Sequence, residues 1–90
     1  MTTAVKNWRV DILIGERDEK THAEARLVPG NEVTLTGTGD ARLNPADRDV
    51  PEIGDELAVA RALSDLAHRL LHAAAEDIEG LTHERVYLYR

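Results

Sequence analysis

Cysteine is absent from this chain, so neither a disulfide nor a thiolate metal site can contribute to it, and nothing in the residues points to an oxidising compartment. Phe is missing too, and Trp8, Tyr87 and Tyr89 are the only aromatic residues. The core must therefore be built from Leu, Val, Ile and Ala. In a chain of 90 residues such a core is thin, because small chains bury a smaller fraction of their surface. No apolar run approaches the roughly 18 residues that argue for a membrane span. The opening MTTAVKNW lacks the charged and apolar regions of a secretion signal. One cytoplasmic domain over residues 1–90, with no membrane contact, is the expectation, and a second copy of the chain would relieve its thin core.

Seventeen acids against eleven bases leave a net charge of −6, and its placement matters more than its size. Residues 1–48 hold eight acids and seven bases, residues 49–80 hold eight acids and two bases, and residues 81–90 hold one acid and two bases. Phosphate backbones are bound where Lys and Arg displace counterions. Double-stranded RNA is therefore not expected on the acidic face that residues 49–80 build.

Trp8, Val10, Ile12 and Ile14 alternate with Arg9, Asp11, Leu13 and Gly15, the period of a first strand with one buried face. Glu16 to Lys20 is expected as a charged loop. Ala23, Ala25 and Leu27 then alternate with His22, Glu24, Arg26 and Val28, which predicts a second strand with small inward residues. Pro29, Gly30 and Asn31 signal a turn, with Pro preset for its second position and Gly30 free to take positive φ, so strands two and three form a hairpin. The inward parity of strand three runs through Val33, Leu35, Gly37, Gly39, Ala41 and Leu43, opposite Thr34, Thr36, Thr38, Asp40 and Arg42. Two glycines on the buried parity predict the close approach of a helix, or a bulge. A phosphate cradle would need a Walker-type Lys and a loop opening directly into a helix, and this stretch has neither.

Asn44, Pro45 and Asp47 suit a short capped turn, and Asp49 with Glu52 approximates a capping box at the start of one long helix. Glu52, Asp55 and Glu56 favour the positive end of its dipole. Leu57, Ala60, Leu63, Ala67, Leu70, Leu71 and Ala74 form the expected buried stripe, with Arg61, Asp65, His68, His72 and Glu76 opposite. Glu76 and Asp77 would oppose the dipole at a C-terminus, which favours a break there and a second short helix. The closing HERVYLYR is expected as an extended segment suited to pair with an exposed sheet edge, its own or a partner's. The pattern as a whole predicts an α+β fold: a three-stranded antiparallel sheet packed by a long C-terminal helix.

The stretch ARLNPADRDVPEIGDELAVARALSDLAHRLL, with DIEGLTH after it and NWRVDI near the start, resembles the actinobacterial domain of unknown function 1876 family over most of the chain. The resemblance implies a shape similar to the double-stranded-RNA-binding domain, usually dimeric. Ribosome-hibernation factors share that shape, and a stress or dormancy role has been suggested for relatives. It implies no catalytic residues. RNA-binding members of that shape carry a basic cluster at the start of the helix after the sheet, where this chain reads PEIGDE. Shape is analogy, whereas binding lives in surface residues.

Among candidate sites, His68 and His72, with Asp65 and Glu76, lie at helical spacing that could bring ligands to a metal, but no Glu general base stands between the two histidines. Neither a metal nor another cofactor is expected. Ser64, the sole serine, falls mid-helix without an oxyanion-hole motif, so nucleophilic catalysis has no support. The polar sheet face offers Arg9, Arg26 and Arg42 as partner anchors, joined by Tyr87 and Tyr89, since aromatics and Arg are enriched at interfaces. Leu13 and Val28 on the same parity hint at coverage by another subunit. These readings converge on a non-enzymatic homodimer that binds a ribosomal or protein partner in a stress- or dormancy-linked setting. A ribosome- or structured-RNA-binding hibernation-type factor is the alternative.

Overall fold

A computed structural model describes residues 3–42 and 51–83 of the chain. Three strands, β1 (Arg9–Arg17), β2 (Lys20–Val28) and β3 (Leu35–Arg42), form an antiparallel sheet in the order β1-β2-β3, and one helix, α1 (Pro51–Thr82), lies across it. The α+β architecture expected from the alternation is the one observed. The expected capped turn at Asn44–Asp47, the expected cap Asp49 and residues 84–90 of the expected extended C-terminal segment lie outside the described residues.

Strand pairing fixes which side chains share a face. Ile12 stands opposite Ala25 and Ala25 opposite Gly37, while Ile14, Ala23 and Gly39 form the next row. The helix covers this face through a core of Ala23, Ala25, Leu27, Ala41, Ala58, Ala62 and Leu66. Most of these are alanines. Small side chains let the two layers approach until the backbones nearly touch. A Cβ on Gly37 would strike Ala62 O and Leu66 N, with Leu66 Cα at 2.8 Å, and one on Gly39 would strike Ala58 O and Ala62 N. The glycine pair thus marks close helix approach rather than a bulge, one of the two outcomes the sequence left open.

That contact also rotates the helix away from the expected stripe. Leu57 and Leu63 are 45% and 42% exposed, whereas Ala58, Ala62 and Leu66 are buried. The expectation chose the most hydrophobic line along the helix. The sheet instead selects the line narrow enough to sit on Gly37 and Gly39. Leu70 and Val59 pack against the core at its margin.

Three further expectations are corrected. The charged loop is only Asp18 and Glu19, because β1 continues to Arg17 and β2 begins at Lys20. Both turn residues take positive φ, 51° and 62°, the backbone of a type I′ two-residue hairpin. No described glycine does, so Gly30 does not use the freedom ascribed to it. Finally, α1 does not break near Glu76. It runs unbroken for 32 residues to Thr82. The His72–Glu76 pair at 2.9 Å spans the expected break, and the acids there face solvent, where opposition to the dipole is cheap. Termination comes from His83, whose φ of 60° lets its N–H donate to Glu79 O at 2.7 Å.

A methyl group added at Gly37 cannot be absorbed by a flexible side chain, because the atoms it meets are backbone. Gly37→Ala is therefore expected to lower stability by about 1–3 kcal/mol, the range for overpacking a filled core. Gly15→Ala, where nothing lies within 4 Å, should cost far less. Urea unfolding of the two variants measures the contrast, and equal midpoints would show that the helix can lift off the sheet without penalty.

Candidate functional site

Covering β2 and β3 leaves β1 nearly bare on the same face, since α1 touches β1 only slightly. Val10, Ile12 and Ile14 point toward the helix layer yet remain 38%, 37% and 46% exposed. The first strand therefore lacks the buried face its alternation predicted. Arg61 and Asp65 reach the edge of β3, so at about 100° per residue Leu63 and Leu70 occupy the opposite flank, above β1. Leu63, Val10, Ile12 and Ile14 thus form one apolar surface from helix flank to sheet edge. Trp8, just before β1, is itself 55% exposed and does not close the core.

The two sheet edges differ. On β3, Thr38 N–H donates to Asp65 Oδ2 at 2.9 Å, and Arg61 Nη1 donates to Asp40 O at 2.6 Å. Helix side chains thereby occupy groups that another strand would need. No described side chain does this for β1.

The opposite face of the sheet is polar apart from Leu13, which is exposed, and Val28, which is already buried within the single chain and so needs no second subunit to cover it. Arg9 donates to Asp11 at 2.8 Å, and Arg26 donates to Glu24 through Nε at 3.1 Å and Nη2 at 2.8 Å. These two predicted anchors therefore hold carboxylates of their own chain. Arg42 lies at the far end, opposite Lys20, which in turn stands opposite Arg17. The sequence did single out Arg42, but not this basic row across three strands, because Arg17 and Lys20 were placed in a loop. Beside the row, His22 Nδ1 donates to Asp40 Oδ1 at 2.8 Å, and Gly15, Glu16, Arg17, Lys20, His22 and Asp40 line a shallow open hollow. Tyr87 and Tyr89 lie outside the described residues.

His68 and His72 do not converge on a metal geometry. His68 Nδ1 donates to Ser64 O at 2.9 Å, and His72 pairs with Glu76. Among the described residues no group of three or more potential ligands is assembled, and no described helix is long and apolar enough to cross a membrane.

The sequence and fold have counterparts in other proteins. The profile of the Rv2632c-like family matches residues 6–87. The chain belongs to the Rv2632c-like family. Among its relatives, the uncharacterized protein Mb1767 of Mycobacterium bovis is 58% identical over 80 residues, covering 89% of this chain and 84% of the relative. The uncharacterized protein Rv2632c of Mycobacterium tuberculosis is 52% identical over 81 residues, covering 90% and 86%. The crystal structure of Rv2632c superposes with a TM-score of 0.82 at 49% identity, covering 93% of this chain and 99% of that one. Membership thus extends to the fold.

Two carboxylates are held below the ordinary aspartate range. Asp65 is lowered first by the Thr38 N–H, then by the Arg69 side chain, against a smaller opposing cost of desolvation. Asp40 is lowered chiefly by its hydrogen bond from His22. A carboxylate with a depressed folded-state pKa adds stability above its unfolded value of about 3.9, and that contribution disappears as pH falls through the folded-state value. Asp65→Asn keeps an acceptor for Thr38 but removes the charge. The variant is expected to be less stable than the parent at pH 7, the gap closing in strong acid. Thermal melts from pH 7 to pH 2 check this, and a gap independent of pH would mean that the charge contributes nothing.

Proposed function

We propose that this member of the Rv2632c-like family is a non-enzymatic homodimeric binding module whose copies meet on the surface left open by β1 and the adjoining flank of α1. One observation carries the reading: Val10, Ile12 and Ile14 stand more than a third exposed beside Leu63, all on the face that should be the interior. Contiguous apolar surface of this kind usually marks an interaction site. The core supports it from within, since no large described side chain is fully buried and alanines dominate. The non-enzymatic part draws on the titratable side chains His22, His68, His72 and Asp65, each engaged in a surface pair or in bracing an edge. A stress- or dormancy-linked setting belongs to the same reading through the family resemblance.

Sedimentation equilibrium tests the central point. The protein is expected to be a dimer at micromolar concentration, and Ile12→Lys should raise the dimer dissociation constant by at least about tenfold, since a charge would be forced into an apolar interface. A monomeric parent under these conditions would reject the proposal.

A second reading, binding to structured RNA or the ribosome, draws on the row of Arg17, Lys20 and Arg42. The open sheet face carries five bases (Arg9, Arg17, Lys20, Arg26, Arg42) against three acids (Asp11, Glu24, Asp40), the reverse of α1. Phosphate contacts there should give co-sedimentation with ribosomes that falls steeply between about 50 and 200 mM salt. The double variant Lys20→Glu, Arg42→Glu should abolish it. No co-sedimentation at the lower salt would rule this reading out.

A further inference from the structure

The hairpin that joins β1 to β2 determines which backbone groups β1 offers to a neighbour. In a two-residue type I′ turn the flanking residues, here Arg17 and Lys20, exchange both hydrogen bonds. Narrow and wide pairs alternate from that point along an antiparallel ladder. Odd-numbered residues of β1 therefore bond to β2, and Val10, Ile12, Ile14 and Glu16 present N–H and C=O groups at the open edge. The same count along β3 sends Thr38 N–H and Asp40 C=O outward, which are the two groups taken by Asp65 and Arg61. One edge is sealed by the protein's own helix, and no described residue pairs with the other.

From these positions we infer that β1 pairs antiparallel with β1 of a second copy about a two-fold axis at Ile12, joining two sheets into one of six strands. This inference rests on the dimer proposed above and specifies its geometry. The side-chain pattern of β1 selects the register. With the axis at Ile12, Ile12 meets Ile12 of the second copy, Val10 meets Ile14, Asp11 meets Leu13 and Arg9 meets Gly15, so Val10, Ile12 and Ile14 each have an apolar partner, Glu16 falls opposite Trp8 outside the strand, and no like charges are directly opposed. Moving the axis to Asp11 opposes Asp11 to itself. Moving it to Leu13 opposes Arg9 to Arg17 and Val10 to Glu16, and moving it to Ile14 opposes Ile12 to Glu16. Each shift loses an apolar pair or opposes like charges.

The overall arrangement is consistent with this axis. Both helices lie on the same face of the joined sheet, and strand spacing of about 4.8 Å places their axes about 19 Å apart. Leu63 of each copy then faces the dyad over a floor of six aliphatic side chains, Val10, Ile12 and Ile14 from both chains. β1 also lacks the usual defences of an edge strand: between Val10 and Ile14 it has no Pro, no Lys and no bulge.

Cysteine scanning provides the test, since the chain supplies no cysteine of its own. Asp11 and Leu13 lie on the polar face, away from the helix, and a wide antiparallel pair brings Cα atoms to about 4.5 Å, within disulfide reach. Full-length Asp11→Cys and Leu13→Cys variants, mixed and oxidised with glutathione disulfide, are expected to form the mixed cross-link roughly tenfold faster than either self-link, because the self-linked positions are diagonal neighbours at about 7–8 Å. Peptide mass spectrometry identifies the linked residues, and light scattering of the unmodified protein runs alongside. A dominant Leu13–Leu13 link would move the axis and overturn the register. A stable dimer without any of these cross-links would overturn edge pairing while leaving the dimer itself standing, because face-to-face stacking of the apolar strips would turn residues 11 and 13 outward. A monomer by light scattering would overturn both.

Discussion

The contact between the backbone of α1 and the glycines of β3 governs the rest of the molecule. Side chains on both layers normally hold a helix about 10 Å from a sheet. Here Gly37 and Gly39 remove them from one layer, and Ala58 and Ala62 reduce them on the other. The helix is consequently seated over β2 and β3, off the sheet's centre line. An off-centre helix can cover only part of a three-stranded sheet, so exposure of β1 follows from the glycine pair and not from any property of β1.

Side-chain hydrogen bonds complete that asymmetry. Once α1 sits above β3, Arg61 and Asp65 are within reach of its outer edge, and each binds one backbone group there. Arg69 steadies Asp65 one turn further on, at 3.1 Å. The same seat that leaves β1 uncovered therefore protects β3. A sheet with two open edges would invite indefinite strand addition, whereas one open edge supports a closed pair.

Much of the fold was legible in the residues, and the failures share a cause. Strand alternation located all three strands because period two survives whether or not a face is buried. It could not show that Val10, Ile12 and Ile14 lack a cover, since an interface strand and a core strand have the same pattern. Hydrophobicity chose Leu57 and Leu63 for the buried stripe, whereas the actual contact is decided by distance, which favours Ala58 and Ala62. The glycines carried that information, and combining their parity with the line of small residues on the helix would have found the correct face. Asp18 and Glu19 hid a tight turn because Asp18 suits its first position but Glu19 stands where such a turn prefers Gly. With that turn misplaced, Arg17 and Lys20 were assigned to a loop, and the basic row they form with Arg42 could not be seen. The arginines selected from the polar face were correctly placed, but Arg9 and Arg26 turn out to be engaged by Asp11 and Glu24.

Charge divides between the two layers in a way that bears on any partner. Among the described residues α1 carries Glu52, Asp55, Glu56, Asp65, Glu76, Asp77 and Glu79 against Arg61 and Arg69, while the open sheet face is mildly basic. A polyanion approaching such a body is steered toward the sheet side and repelled from the helix side. Joining two copies through β1 would keep that separation, because both helices stay on one face and both polar faces on the other. A back-to-front association would instead set the acids of one copy against the bases of the next and cancel the field. The layering of charge and the β1 edge, which no described residue pairs with, therefore favour the same arrangement, one acidic, helix-bearing side and one broad sheet side, and they leave the sheet side as the surface on which a phosphate-rich partner would have to be met.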